Sequence, residues 1–144
     1  MKHRNNVLTA TLVALAFAFA PVVQAGVHPE GGPTQMPVIT INSIDNVIRG
    51  KTGTFVLNMK PKLMLGGMYV NFSVSGTAVE GVDYGALVSP AYIGQSGYGL
   101  IQVQTLPNPR GSSVNQAYSV VITLENGPGY SVGRPSSATM WIKP

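Results

Sequence analysis

An unbroken alternation of apolar and polar residues in the segment 68–75 constrains this chain more than any other feature of its sequence. From Met68 to Ser75, apolar residues occupy the even positions, and Tyr, Asn or Ser occupies the odd positions. Because neighbouring side chains of a strand point to opposite faces of a sheet, this period predicts a half-buried antiparallel strand. Five further strands are predicted at 38–41, 54–59, 100–106, 118–124 and 137–143.

The same parity predicts which face of each strand is buried. It places Phe55 and Leu57 on one inner face, and it buries Met140 while turning Trp141 outward. Turn signals rich in Gly and Pro separate the segments, and no window of a dozen residues after residue 25 has the 3.6-residue apolar period of a helix. The sequence therefore predicts an all-β fold, an immunoglobulin-like antiparallel β-sandwich of about seven strands.

Composition limits the chemistry that such a sandwich can carry. The chain has no cysteine, which excludes a disulfide scaffold and any Cys-based metal site. Charged residues make up 10% of the chain, far fewer than coiled coils and long charged helices need. The formal net charge is +4, but Lys2 and Arg4 lie at the extreme N-terminus, and the remaining charges nearly balance. We therefore expect no nucleic-acid partner.

The N-terminal segment 1–25 has the pattern of a secretory signal peptide. Lys2 and Arg4 supply a positive start, residues 7–20 form an apolar run, and small or apolar residues precede a cleavage site after Ala25. The run is shorter than the ~20 apolar residues that a membrane span needs, and no second run of that length follows. The expected organisation is a signal peptide at 1–25, a flexible arm at 26–36 and one sandwich domain at 37–144. We expect an exported protein that is periplasmic, secreted or held at the cell surface.

Two segments go beyond a generic β pattern. Residues 76–84, GTAVEGVDY, fit a G-T-A-x-x-G-x-D-Y pattern, and residues 133–142, GRPSSATMWI, fit a G-x-P-S-S-A-T-x-x-I pattern. The first motif resembles the signature of Calx-beta domains, and the second resembles the closing strand of that family. The resemblance covers residues 38–143. It implies the family's seven-stranded sandwich and a binding or adhesion module.

Asp83 and Tyr84 of the first motif are interpreted as structural residues. A turn aspartate accepts hydrogen bonds from nearby backbone N–H groups, and Asp83 is expected to hold its loop in this way. Tyr84 is expected to anchor the loop on the sandwich with its ring while its hydroxyl stays in water. Gly76 and Gly81 allow backbone angles that are closed to other residues.

The calcium ligands of the family are not matched by this sequence. The resemblance implies one acid in a turn after the first strand, where this chain has Arg49. It implies further acids before the penultimate strand, where residues 107–117 contain none. Calcium takes six to eight oxygen ligands, several of them carboxylates, and the cations Arg49 and Arg110 near Asp83 would repel it. We therefore expect no calcium binding.

No arrangement for catalysis is recognisable in the sequence. His28 is the one histidine beyond residue 25, and it falls in the predicted arm, while the acidic residues are scattered along the chain. A Ser-His-Asp arrangement would require that arm to dock against the sandwich. We therefore expect a protein that is not an enzyme.

One metal site is suggested by the predicted mature N-terminus. After cleavage of the leader the chain would begin Gly26, Val27, His28. A free amine, two backbone nitrogens and a third-position imidazole form a square-planar site that suits Cu(II). The alternative is that His28 is an incidental residue of the arm. Thioether ligands for Cu(I) would come from Met59, Met64 and Met68, although strand parity places the first and last of these in the core.

Three aromatic residues are candidate contacts for a partner. Parity turns Trp141 outward on the last strand, and exposed tryptophan is enriched at binding surfaces. Tyr92 and Tyr98 flank a Gly-rich loop. The alternative for Trp141 is an indole that lies over neighbouring strands or under the N-terminal arm. If the last strand lies at a sheet edge, its outer backbone groups would also invite pairing with another chain.

Three functions are left open by the sequence. The first is an exported, non-catalytic binding or adhesion module with a protein or glycan partner, as the family resemblance implies. The second is a subunit of a surface assembly joined through strand edges, with self-association through the C-terminal strand. The third is a periplasmic copper-binding protein that uses the N-terminal tripeptide.

Overall fold

The regular secondary structure in the described part of the chain consists entirely of β-strands. The computed structural model describes residues 35–107 and 115–144, so the predicted signal peptide at 1–25 and most of the arm at 26–36 lie outside the described residues. The strands are β1 (Val38–Ser43), β2 (Val47–Ile48), β3 (Thr52–Lys60), β4 (Met68–Val70), β5 (Phe72–Ser75), β6 (Ala91–Ile93), β7 (Tyr98–Gln104), β8 (Tyr118–Leu124), β9 (Ser131–Val132) and β10 (Ser137–Lys143). Residues 35–107 and 115–144 contain no helix long and apolar enough to cross a membrane.

Two four-stranded sheets enclose one hydrophobic core. The first sheet has the order β7-β3-β1-β9, and the second has the order β2-β10-β8-β5. Strands β4 and β6 form a separate two-stranded sheet, and β6 lies beside β7, where the N–H of Gly94 donates to the carbonyl of Tyr98 at 3.3 Å. The predicted all-β sandwich is confirmed.

The core is built from the strand faces that parity predicts. Burial alternates strictly along β7, and every second residue of β3 from Gly53 to Met59 is buried. On β10 the side chains of Met140 and Ile142 are buried, while Trp141 between them is 43% exposed. The core residues are Ile39, Ile41, Val47, Phe55, Leu57, Met59, Val70, Phe72, Tyr84, Ile93, Ile101, Val103, Val120, Ile122, Leu124, Tyr130, Met140 and Ile142.

The segment 68–75 forms two strands and not the single strand that its alternation predicts. Strand β4 pairs with β6, whereas β5 pairs with β8 in the second sheet. The break falls at Asn71, whose N–H donates to the Tyr130 hydroxyl at 3.0 Å and whose carbonyl accepts the N–H of Glu125 at 2.9 Å. The loop before β9 therefore takes both backbone groups of Asn71 out of the sheet ladder. The inward parity still holds, because Val70 and Phe72 are both buried.

The described residues form ten strands, compared with the predicted number of about seven. The additional strands come from the division of the segment 68–75, from β6, and from β2 and β9, which are two residues long and too short to show a period. Two pairings are parallel and not antiparallel, since β9 runs parallel to β1 and β2 runs parallel to β10.

The loop of residues 76–85, called the motif loop below, ties the two sheets together at one end. On one side the N–H of Thr77 donates to the Ser119 hydroxyl at 3.1 Å, and the N–H of Ala78 donates to the Ser119 carbonyl at 2.9 Å. On the other side the N–H of Gly85 donates to the carbonyl of Gln104 at 2.9 Å. Ser119 belongs to the second sheet and Gln104 to the first, so the loop bridges both layers.

Replacement of Gly76 by alanine is expected to destabilise the fold more than replacement of Gly81. Gly76 has φ +116°, and a Cβ there would overlap the carbonyl oxygen of Ser119. Gly81 has φ +77°, but a Cβ there meets no atom within 4 Å. We expect Gly81→Ala to cost about 1 kcal/mol for the left-handed backbone alone and Gly76→Ala to cost about 3 kcal/mol. Urea denaturation of both variants measures the difference, and equal losses would show that the close approach to Ser119 does not matter.

Candidate functional site

The outer face of the first sheet carries an open, mainly polar groove of about 460 Å³. This volume lies in the range of small-ligand pockets. The groove is called the sheet groove below. It is lined by Val38, Thr40, Asn42, Asn58, Lys60, Tyr98 and Arg134.

Strand register brings these residues together. Thr40 of β1 is paired with Asn58 of β3, and Asn58 is paired with Tyr98 of β7, so the three form one row across the sheet. Val38 and Lys60 form the adjacent row. Because all of these positions are even, their side chains leave the outer face of the sheet while the odd positions of β1 and β3 fill the core. The centre of the groove thus offers a hydroxyl, an amide and an aromatic ring.

The charges around the sheet groove are positive. Lys60 and Arg134 line it, and the described lining residues include no acid. The ammonium of Lys62 lies 5.8 Å from the centroid of the Tyr98 ring, within cation–π range. Arg134 is carried past β1 by the backbone after β9, where the N–H of Gly133 donates to the carbonyl of Ile39 at 2.7 Å. The site suits a ligand with hydroxyl groups and negative charge.

The three aromatic residues singled out in the sequence do not form one site. Tyr98 lies in the sheet groove, and Tyr92 lies on β6, where its ring packs against that of Tyr69 with a centroid distance of 5.2 Å. Both predicted tyrosines are about half exposed. Trp141 also faces outward, but from β10 in the second sheet, so it belongs to the other side of the sandwich.

The last strand is a sheet edge over only part of its length. Its end is covered, because Ile142 and Lys143 pair with β2 and the N–H of Trp141 donates to Asn46 Oδ1 at 3.0 Å. The condition that the last strand lies at a sheet edge is therefore not met at the end of the strand. In the described part of the chain, the side of β10 that faces away from β8 stays open only before Trp141, near Thr139.

Asp83 holds the motif loop, as the sequence predicts. Its carboxylate is fully buried, and Oδ2 accepts the N–H of Val79 at 2.8 Å. The backbone N–H of Asp83 donates to the carbonyl of Val79 at 2.7 Å, and its carbonyl accepts the N–H of Leu106 at 2.9 Å. Tyr84 is also buried and belongs to the core. Both residues of the motif therefore have structural contacts.

Arg49 lies beside Asp83 and forms an ion pair with its carboxylate. Its Nη1 lies 3.2 Å from Asp83 Oδ1, and its side chain is only 10% exposed. The guanidinium carbon also lies 5.3 Å from the centroid of the Tyr118 ring, while Nη2 is buried without a hydrogen-bond partner among the described residues. Arg110, the second cation expected here, lies outside the described residues. Within the described ranges, no three His, Asp or Glu side chains are grouped as in a metal site.

The structure describes the methionines of the copper hypothesis but not its N-terminal tripeptide. Gly26, Val27 and His28 lie outside the described residues. Of the methionines, Met59 is buried and Met68 packs against the core, as parity predicts, whereas Met64 is almost completely exposed.

Sequence reasoning identified Tyr98 but missed the rest of the sheet groove. Thr40, Asn58 and Lys60 are ordinary polar residues of strands and have no motif around them. Their only common signal is their parity, which places them opposite the core positions. Which of them are neighbours depends on the register between strands that lie up to 40 residues apart along the chain.

Comparison with protein-family models finds no family that matches this chain, and comparison with curated proteins finds no matching relative.

Calcium is expected to leave the stability of this domain unchanged, because the Arg49 guanidinium is already paired with the buried Asp83 carboxylate. A ligand of the folded state at about a hundred times its dissociation constant adds ~2.7 kcal/mol to the free energy of unfolding. Urea denaturation in millimolar calcium and in chelator measures this directly. A stabilisation in calcium that the chelator reverses would contradict the prediction.

Stability is expected to fall at alkaline pH because of Tyr84. Burial raises the pKa of the Tyr84 hydroxyl above its ordinary value of 10.0, and the carboxylates of Glu80 and Asp83 raise it further. Above this ordinary value the unfolded chain releases the proton before the folded chain does, so the free energy of unfolding decreases as pH rises. Between about pH 9 and pH 11, the decrease should be smaller in Tyr84→Phe, which has no proton to lose. Urea denaturation across this range tests it, and equal slopes in the two proteins would refute it.

Proposed function

We propose that this chain is an exported, non-catalytic binding module of Calx-beta type that takes a glycan in the sheet groove. The observation that carries the proposal is the single row formed by Thr40, Asn58 and Tyr98 at the centre of that groove. A hydroxyl and an amide hydrogen-bond sugar hydroxyls, and an aromatic ring packs against the apolar face of a sugar ring.

A glycan fits this site better than a protein surface does. The groove is concave and its central side chains are polar, whereas the fully buried centre of a protein interface is enriched in apolar and aromatic side chains. Its volume of about 460 Å³ is that of a small-ligand site and not of an extended interface. The cations Lys60 and Arg134 on its border favour sugars that carry carboxylate, sulfate or phosphate groups.

The family resemblance and the predicted leader support the same reading. The motif loop forms a structural bridge with Asp83 paired to Arg49, which leaves no free carboxylate pair there for calcium. Glycan binding by this module is therefore proposed to be independent of calcium. The predicted signal peptide at 1–25 would deliver the module to a compartment where polysaccharides are present.

Removal of the Tyr98 ring is expected to weaken glycan binding. A panel of neutral and acidic oligosaccharides would first identify the strongest ligand, and titration calorimetry would then give its dissociation constant. We expect Tyr98→Ala and Asn58→Ala each to raise that constant by about tenfold, through loss of ring contact and of a hydrogen bond. Tyr69→Ala is the matched control, since Tyr69 is an exposed tyrosine outside the groove.

Two outcomes would contradict the glycan proposal. The first is the absence of binding to any oligosaccharide by a protein whose circular dichroism and thermal melting are those of a folded sandwich. The second is binding that Tyr69→Ala weakens as much as Tyr98→Ala does, which would place the ligand away from the sheet groove.

A further inference from the structure

The loop of residues 61–67 exposes two large apolar side chains to solvent. Met64 is 94% exposed and Leu65 is 86% exposed, so together they form what is called the apolar tip below. Leu63, just before them, packs partly against the core and anchors the loop. Single exposed apolar residues are common on protein surfaces, but two adjacent ones at the end of an anchored loop form a continuous apolar projection.

A tyrosine pair lies at the base of this loop. Tyr69 of β4 and Tyr92 of β6 are paired across the two strands, and their rings meet at 5.2 Å with an angle of 54° between planes. The ring of Tyr92 lies so close to Gly67 that a Cβ there would collide with it. Both tyrosines are more than half exposed. Tyrosine is enriched at membrane–water interfaces, since its ring is apolar and its hydroxyl is polar.

The charges near the apolar tip are mostly positive. Lys60 ends β3 just before the loop, and Lys62 lies within it. Among the described residues, Glu125 is the acid at this end of the sandwich. It follows β8 and starts the loop to β9. Strand β9 is next to β1, and Val38 of β1 pairs with Lys60 at the end of β3. Arg134 adds a third cation beside Lys60 in the sheet groove. The surface around the tip is thus suited to an anionic partner.

We propose that the loop of residues 61–67 docks this protein on an anionic lipid bilayer. Met64 and Leu65 enter the boundary between headgroups and acyl chains, Tyr69 and Tyr92 lie at the level of the headgroups, and Lys62 lies near the lipid phosphates. Apolar burial together with attraction to anionic lipid is the general basis of interfacial binding. The proposal does not require a ligand in the sheet groove, although Lys60 and Arg134 line that groove and Lys62 lies over the Tyr98 ring.

A bilayer fits the apolar tip better than a protein partner does. A stable protein interface buries about 800 Å² on each side, and two side chains at the end of a narrow loop provide far less than that area. A bilayer requires no complementary pocket, and nearby lysines add to the binding through the negative surface of the lipid.

Vesicle binding of the full chain tests the role of the tip. Co-sedimentation uses vesicles of phosphatidylglycerol and phosphatidylcholine in equal parts, and every variant has the same N-terminus. We expect the double variant Met64→Ser, Leu65→Ser to lower the partition coefficient by about tenfold or more. The matched control is Ile44→Ser, because Ile44 is also an exposed apolar residue but lies far from the loop. Its N–H donates to the carbonyl of Thr54, which is about 20 Å along β3 from Lys60. That control should bind as the unaltered protein does.

A charge variant tests the choice of lipid. Lys62→Gln should lower the partition coefficient by about fivefold on the anionic vesicles, and it should have no effect on vesicles of phosphatidylcholine alone. An equal effect on both compositions, or none on the anionic vesicles, would overturn the electrostatic part of the proposal.

A fluorescent probe reports insertion at the tip itself. Because the chain has no cysteine, Leu65→Cys and Ile44→Cys each provide a single labelling site. A polarity-sensitive dye at residue 65 should shift to the blue on the anionic vesicles, while the dye at residue 44 should not. An equal response at both sites would overturn the proposal. Sedimentation velocity without vesicles provides a second test. Self-association of the unaltered protein that is lost in the double serine variant would also overturn the proposal, because the tip would then be an interface between copies.

Discussion

The fold depends on a carboxylate that is completely removed from water. Asp83 lies at the end of the sandwich where the two sheets must be joined, and its charge is compensated there by Arg49 and by the N–H of Val79. The desolvation of a carboxylate costs several kcal/mol, and its partners offset this cost only when their positions are fixed. Arg49 follows β2, whereas the motif loop reaches both Ser119 and Gln104. A single buried charge thus makes the turn after β2, the motif loop and the two sheets depend on one another.

Much of the fold was predictable because burial on a strand follows a period of two. That rule placed Phe55 and Met140 inside and Trp141 outside without any knowledge of the partner strands. It also gave the buried face of the segment 68–75, but it did not predict the division into two strands, because the alternation continues through Asn71 although the chain passes from one sheet to another. The signal for that break lies in Tyr130, more than 50 residues later, whose hydroxyl bonds the Asn71 N–H. A local period contains no information about a hydrogen bond made at that distance along the chain.

The candidate sites were less predictable than the fold, for two different physical reasons. The sheet groove is assembled across strands, so the relation of Thr40 to Asn58 and Tyr98 exists only once the register is set. The apolar tip is local in sequence, but the same letters KLML would be read as core if the loop turned inward. Only the partial burial of Leu63 and the exposure of Met64 and Leu65 distinguish the two cases. Residue types therefore indicate which side chains are candidates for a binding surface, but the path of the backbone determines which of them are exposed there.

The short connection at Asn71 and the pairing of β10 together affect how the sandwich responds to force. The chain that leaves β4 enters β5 in the second sheet after a single residue, so the link between the β4–β6 pair and the second sheet has no residues to spare at that point. At the C-terminal end, Ile142 and Lys143 of β10 are bonded to β2 on one side, while β8 flanks the strand on the other. A force that pulls on β10 along its axis loads the hydrogen bonds to β8 in shear, because the bonds of an antiparallel pair run across the strand direction. Many bonds must then break together rather than one after another, and a sandwich of this construction resists stretching along its last strand.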